Sequence, residues 1–192
     1  MNYSFMNTGL FVPAVLLIVI AILACVAYSH YRKTRTLAFK HRFGSEYDRE
    51  VLRNSSPSRA ESKLADRETR VETLNIRDLS LIERELFLAD WHMVQYRFVH
   101  HPKAAVTEAE NLINTLLLTR GYPQAGFEQR AADVSVTYPR VMKDLRLAHA
   151  ISVPHGHYES TPEELRAAMI QYRAIFDQLL QPWKFGLDRS AA

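Results

Sequence analysis

The feature that most constrains this chain is an uncharged N-terminal stretch, Met1–Ser29, which contains no Asp, Glu, Lys or Arg. Its most apolar part, Leu10–Tyr28, reads LFVPAVLLIVIAILACVAY. About 20 apolar residues are enough for a helix to cross the bilayer core. Pro13 falls in the first turn of this segment, where a missing amide N–H disrupts few helical hydrogen bonds. The sequence therefore predicts one N-terminal transmembrane anchor within residues 1–30.

The direction of the anchor follows from the charges beside it. No Lys or Arg precedes the apolar segment, and several follow it directly. Because basic residues are retained on the cytoplasmic side, we expect the N-terminus outside and everything after Tyr28 in the cytoplasm. Two alternatives are a cleaved secretory signal and a lipoprotein-like cleavage site before Cys25. A signal peptide carries its basic residues ahead of the apolar run, so the charge pattern favours a retained anchor over both.

The positive charge of the chain is concentrated next to the anchor. Eight basic and three acidic residues between His30 and Arg59 give a local net charge of +5, whereas the whole chain carries +3 and the remainder therefore −2. A nucleic-acid-binding domain would carry its basic patch on the folded part, so we expect no nucleic-acid partner. The cations either only fix the topology or contact anionic lipid headgroups. The headgroup candidates are Arg32, Lys33, Arg35, Lys40 and Arg42.

The rest of the chain predicts a mainly α fold, that is, a soluble helical bundle behind the anchor. No stretch shows the sustained alternation of a strand. The predicted segments are the anchor (1–30), a basic juxtamembrane linker with a short helix (31–56), a cytoplasmic helical domain (57–181) and a C-terminal tail (182–192). The helical domain is long enough to bury a core.

Helix boundaries are marked by capping residues. Ser56-Pro57, Ser80 with Glu83, and Thr161-Pro162 are typical helix starts. Gly121, followed by Pro123, predicts a helix end. The expected helices begin near residues 45, 57, 81, 102, 127, 139 and 162.

Two of these helices raise questions of burial. The helix from Pro57 to about Leu74 has a narrow apolar seam, which favours packing within the chain but also fits a short coiled coil between two chains. The helix opened by Ser80 carries two apolar stripes. We expect both stripes to be buried and this helix to be central. The first consists of Ile82, Leu86, Ala89, Met93 and Tyr96, and the second of Leu88, Trp91 and Phe98.

Motifs for catalysis or metal binding are weak or missing. Cys25 is the single cysteine, and glycine-rich phosphate loops, GxSxG and HExxH are absent, so we predict no catalytic residue, metal or cofactor. The histidine pair in Pro154–His157 could contact a metal but lacks further ligands, which favours a solvated loop. His149 is expected at the edge of the core with a hydrogen bond.

One small-ligand pocket is conceivable. Trp91, Gln95 and Arg97, with Asp90, could line it together with Arg120 and Tyr122. The competing interpretation is that Trp91 fills the core and Gln95 forms a hydrogen bond to a loop carbonyl. It is favoured because large aromatic residues in an apolar stripe usually pack in the core.

Several short strings resemble a family of bacterial membrane-anchored proteins without an assigned activity. They are Arg42–Arg49 (RFGSEYDR), Val94–Val99 (VQYRFV) with Pro102, Arg120–Pro123 (RGYP), Phe127–Asp133 (FEQRAAD) with Ser135, and Ala148–Ile151. The resemblance extends from Arg42 to about Leu180. It implies a bacterial protein, hence the inner membrane, and one soluble domain, and it assigns no catalytic residue.

Taken together, these features favour a non-enzymatic module that contacts another protein or its own copies at the cytoplasmic face of the bilayer. Two alternatives stay open. One is a small-ligand-binding or hydrolytic enzyme with a pocket near Trp91, Gln95, Arg120 and Tyr122. The other is a peripheral module that engages anionic lipid.

Overall fold

The computed structural model describes residues 5–153 and 160–182, with side chains described from Val15 onward. Within these ranges the chain is helical and has no strand, which confirms the predicted fold class. Its elements are α1 (Phe5–Phe43), α2 (Ser45–Asn54), α3 (Pro57–Glu72), α4 (Leu81–His100), α5 (Pro102–Thr119), α6 (Phe127–Thr137), a 3-10 turn (Pro139–Val141), α7 (Met142–Ser152) and α8 (Pro162–Leu179).

The chain divides into two compact units, Met1–Arg42 and Phe43–Ala192. Helix α1 forms the first unit. Its part Val15–Phe43 is long and apolar enough to cross a membrane, and the most apolar window of that part has no residue buried against protein. Since burial inside the protein does not explain these apolar residues, α1 remains a candidate for the predicted membrane span.

The second unit begins earlier than the predicted helical domain. Phe43 and Tyr47 are buried, and α2 packs against α3 and α7. The short helix expected inside a linker is therefore part of the folded unit. Charge dominates this stretch of sequence, and its buried residues include the carboxylates Glu46 and Glu50, so the apolar pattern alone does not reveal its burial.

The core of the second unit lies where α8 packs against α5 and α7, with α4 against α5. Trp91 of α4 stacks on Phe176 of α8, with ring centroids 4.7 Å apart. Apolar residues at helical spacing predict one inward side each for α5, for the 3-10 turn with α7, and for α8. These residues are all buried: Val106, Ala109, Ile113 and Leu116; Val141, Leu145 and Ala148; and Leu165, Ala168, Met169, Tyr172, Phe176, Leu179 and Leu180. Among the largest fully buried side chains are Trp91, Ile113, Leu116, Met142, Tyr172, Ile175 and Phe176.

All three predicted helix starts are present, and two of them have the expected capping hydrogen bonds. Ser56 is the N-cap residue of α3 with Pro57 as the first helical residue, but its side chain makes no capping hydrogen bond. Ser80 Oγ accepts a hydrogen bond from the Glu83 amide (3.2 Å), and the Glu83 carboxylate accepts one from the Ser80 amide (2.8 Å). Thr161 and Glu164 form the same reciprocal pair at the start of α8. Each pair satisfies amides that the first helical turn leaves without intrahelical partners.

Packing of α3 takes place within the chain. Ala60, Leu64 and Val71 are buried, and α3 contacts α2 and α6. The seam is therefore used intramolecularly, the favoured one of the two interpretations.

The expectation for α4 is wrong. Phe87, Trp91 and Val94 are buried, but Ile82 is 75% exposed and Tyr96 is 69% exposed. The buried stripe shares only Trp91 with the second predicted stripe, whose other members, Leu88 and Phe98, are half-buried. The first predicted stripe is exposed, because α4 lies at the edge of the bundle and packs mainly against α5.

Candidate interaction surface

The outer face of α4 is an apolar helix surface that stays exposed among the described residues, although the Tyr96 ring makes an edge contact with His100 of the same helix. It consists of Ile82, Leu86, Ala89, Met93 and Tyr96, all exposed. The exposed fractions of the large side chains range from 56% at Met93 to 75% at Ile82. Their spacing of four, three, four and three residues places them on one side of the helix.

This face lies nearly opposite the buried one. At 3.6 residues per turn, the outer face is centred about 150° around the helix axis from the buried stripe of Phe87, Trp91 and Val94. Helix α4 is thus apolar on two sides. An edge helix in a soluble monomer is normally polar on its solvent side.

The outer face is comparable in size to the largest apolar patch of a typical monomeric protein, which is often functional. From the exposed fractions, its four large side chains present on the order of 500 Å², within the range of about 300–600 Å² for such patches. At its N-terminal end, Leu81, Ile82, Glu85 and Leu86 line a shallow groove of about 340 Å³. Contiguous patches of this kind are typical of interaction sites.

The predicted ligand residues on α4 occupy different environments. Trp91 is fully buried in the core, as the packing interpretation expects. Gln95 is exposed, and its Oε1 accepts a hydrogen bond from Arg173 Nη1 at 3.4 Å. Arg97 is exposed and forms an ion pair with Glu108 of α5.

Arg120 is a structural hub at the C-terminus of α5. Its side chain is 1% exposed and donates five hydrogen bonds that join four parts of the chain. The acceptors are Arg77 O (3.3 Å), Asp78 Oδ1 (2.9 Å), Tyr138 Oη (2.8 Å), Leu179 O (2.6 Å) and Gln181 O (3.2 Å). Nη1 has three of these acceptors for its two hydrogens, so at least one of its N–H groups is shared between acceptors. Every guanidinium nitrogen has at least one acceptor within the chain, and the buried side chain is not open to a ligand from solvent.

Tyr122 is also enclosed by protein. Its hydroxyl donates to Thr137 Oγ1 at 3.0 Å, and burial raises the pKa of this phenol above its usual range. The structure thus places Trp91, Arg120 and Tyr122 in the interior and Gln95 and Arg97 on the surface. Neither of the two depressions described for this chain is lined by any of the five.

A second polar feature connects α2 with the helices around it. Arg146 of α7 donates to both carboxylate oxygens of Glu46, at 2.7 and 3.0 Å, and Arg67 of α3 pairs with Glu50. Burial acts to raise the pKa of Glu50, but the hydrogen bond from Asn54 and the charge of Arg67 outweigh it, so this pKa lies below its usual value. These buried, paired carboxylates fasten α2 to α3 and α7.

Close to these pairs, between α3 and α6, is a cleft of about 340 Å³ with mixed charges. Asp133 lies nearby, fully buried; burial raises its pKa, and Arg70 at 3.3 Å only partly offsets this. Its charged lining residues are three arginines and two acids, so charge alone does not indicate one class of ligand. It is lined by Arg53, Asp66, Arg67, Arg70, Glu128, Gln129 and Ala132.

His149 takes part in a partly buried hydrogen-bond cluster, as expected for a histidine at the core edge. Its Nδ1 lies 2.6 Å from Glu110 Oε1, and its ring stacks on Phe127. The Ser152 hydroxyl donates to the other oxygen of Glu110 and lies 3.1 Å from Tyr172 Oη. In a hydrolytic triad the serine would bond to the histidine. Here the carboxylate stands between serine and histidine, so the cluster is not a triad.

The candidate residues for metal and lipid binding lie in different parts of the chain. The described ranges hold no group of three or more His, Cys, Asp or Glu side chains placed to bind a metal ion. The predicted loop Pro154–His157 lies outside the described residues, as do tail residues 183–192. The five lipid-headgroup candidates, Arg32, Lys33, Arg35, Lys40 and Arg42, lie on the C-terminal part of α1.

Sequence reasoning identified the residues of the outer face but misplaced them. The informative signal was the distribution of apolar residues around the whole of α4, since a helix apolar on two sides has either two protein neighbours or an exposed apolar face. Comparison with known proteins adds no assignment: no protein-family model, curated protein or solved structure matches this chain significantly.

Proposed function

We propose that this chain is a single-pass protein of the bacterial inner membrane whose C-terminal helical domain works in the cytoplasm as a protein-interaction or scaffold module. The observation that carries this proposal is the outer face of α4. Four large apolar side chains are exposed together on this face, whereas α2, α5, α7 and α8 each expose one large apolar side chain among the described residues: Leu52, Leu118, Leu147 and Ile170. Burial against a partner protein would remove this surface from water.

The location in this proposal is supported by the charge pattern. Uncharged, apolar α1 residues are followed within the same helix by Arg32, Lys33 and Arg35, a distribution that favours a cytoplasmic C-terminus. A fusion of alkaline phosphatase, active only in the periplasm, behind Ala192 should be inactive. The corresponding fluorescent-protein fusion should be bright.

The alternative of an enzyme has less support, because the five predicted ligand residues line neither of the two described depressions and the histidine cluster lacks the order of a triad. Basic residues on the helix beyond the span do favour contact with anionic headgroups as a second role. Replacing Arg32, Lys33 and Arg35 by Gln should then weaken enrichment of anionic lipid around the purified protein.

The interaction proposal is tested by photocrosslinking in intact cells. A benzophenone amino acid at Met93 lies on the outer face, and the same group at Arg166, exposed on α8, is the matched control. We expect protein adducts from position 93 and none from position 166. Adducts to lipid alone at position 93, or equal protein labelling at both positions, would contradict an interaction surface on α4.

A further inference from the structure

We infer that the partner of the outer face is a second copy of this chain, with two α4 helices packed antiparallel about a two-fold axis at Ala89. This inference rests on the proposed function and names its partner. Its basis is the arrangement of residues along α4, which is close to symmetric about its centre.

The apolar positions pair with themselves when the helix is reversed. Ile82 and Tyr96 each lie seven positions from Ala89, and Leu86 and Met93 lie three and four positions from it. A two-fold axis at Ala89 therefore sets Leu86 against Met93 of the second copy and Ile82 against its Tyr96. Closed dimers use one such self-complementary patch on both copies. A different protein would impose no symmetry on this face.

The side chain at the centre allows the helices to approach. Ala89 is the smallest residue of the outer face, and it would lie at the crossing point. Small side chains at the point of contact permit the closer interaxial distances, near 8 Å. The larger neighbours Leu86 and Met93 then interlock on either side of it.

The polar flank is complementary in the same register. Glu85 and His92 are both exposed and lie on the same side of the outer face, four positions before and three positions after Ala89. In an antiparallel pair, residues on one flank meet the same flank of the other helix. Glu85 of each copy therefore faces His92 of the other, where the carboxylate can accept a hydrogen bond from the imidazole.

The area is sufficient for association at a membrane. Complete burial of two outer faces would remove about 1,000 Å² of side-chain surface from water, which is close to the lower limit of specific interfaces. Copies anchored in one bilayer also meet at a raised effective concentration.

Disulfide crosslinking of the full-length chain in its membrane tests the register. The background is Cys25→Ser, which removes the single native cysteine. Ala89→Cys should form a crosslinked dimer on mild oxidation, because the two-fold axis brings this position next to itself. Arg166→Cys, exposed on α8, should stay monomeric. Chains with Leu86→Cys should crosslink to coexpressed chains with Met93→Cys far better than to other chains with Leu86→Cys.

A charge pair tests the same contact without oxidation. Leu86→Lys and Met93→Glu should each reduce the dimer about tenfold, whereas the double variant, in which Lys faces Glu at both contacts, should recover most of it. Both positions are more than half exposed, so the helical fold should persist by circular dichroism.

The failures of the two proposals are distinguishable. If Ala89→Cys gives no dimer while the photoadduct at position 93 has the mass of a different protein, the second copy is wrong and the interaction module stands. If position 93 gives no protein adduct, both are overturned. An Ala89→Cys dimer that forms no better than the Arg166→Cys control would also overturn the two-fold arrangement.

Discussion

Replacing Arg120 by Met is the most informative perturbation of the fold. Met fills a comparable volume and removes the guanidinium group with its five hydrogen bonds. If Arg120 is a structural hub, the second unit should lose much of its stability. If Arg120 instead serves a ligand, the unliganded protein should be affected little.

The magnitude follows from the acceptors that the variant leaves behind. The carbonyl oxygens of Arg77 and Leu179 and the hydroxyl of Tyr138 lose a charged donor, in a region where the Arg120 side chain is 1% exposed. Each hydrogen bond to a charged group contributes about 1.5–3 kcal/mol, but the contributions within one network do not add fully. Asp78 is 53% exposed and recovers water, so its pairing adds little. We therefore expect a loss of about 3–5 kcal/mol, the range for removing one partner of a buried charged network.

Thermal unfolding of the full-length protein in detergent measures this loss. For a unit of about 150 residues, 1 kcal/mol corresponds to roughly 2–4 °C in Tm, so Arg120→Met should lower Tm by about 10 °C. Arg166→Met, which removes an exposed arginine of α8, is the control and should shift Tm by less than about 2 °C. Equal Tm values for Arg120→Met and the wild type would refute the assignment of Arg120 as a structural hub.

Three further changes test the local structure. Glu50→Gln removes a carboxylate whose pKa is lowered by folding, so the stabilisation by this carboxylate is complete above the usual pKa of 4.5 and is lost as the pH falls through the folded pKa. The Tm difference between the variant and the wild type should therefore be largest at neutral pH and shrink below about pH 4.5. A Tm difference that does not depend on pH would contradict the ion-pair role. Gly121→Ala should destabilise the second unit by more than about 1 kcal/mol in chemical unfolding, because φ is +99° and the added Cβ would collide with the backbone oxygen of Asn75. An unchanged midpoint would argue against this turn. Thr161→Ala removes a helix cap and should cost about 1 kcal/mol by the same measurement, whereas Thr161→Ser should cost little.

Local signals in the sequence predicted the helices well. Capping boxes and helix-starting prolines act within one turn, so Ser80 and Thr161 mark their helix starts without any knowledge of tertiary structure. The seam of α3 and the inward faces of α5, α7 and α8 also followed from apolar spacing, because these helices each have a single buried side.

Which side of α4 is buried, why α2 is buried and what Arg120 contacts all depend on tertiary contacts that the sequence does not show. Two apolar stripes on α4 do not reveal which one a neighbouring helix covers, and the more regular stripe, Ile82 to Tyr96, is the exposed one. The burial of Glu46 and Glu50 depends on Arg146 and Arg67, which lie 100 and 17 residues away along the chain. The five hydrogen bonds of Arg120 could not be predicted from the sequence, because most of the acceptors are backbone carbonyls and they lie in separate segments of the chain.

The central claim is that a partner chain covers the outer face of α4 while the protein is anchored in its membrane. The most direct test is the rate at which a thiol introduced at Met93 reacts with a maleimide. In the Cys25→Ser background, Met93→Cys and the control Arg166→Cys are labelled with a membrane-permeable maleimide, both in intact cells and in detergent at a dilution where the chain is monomeric. Both positions are exposed in the isolated chain, so we predict equal rates in dilute detergent and much slower labelling of Met93→Cys in cells. Equal rates for the two positions in cells would contradict the account.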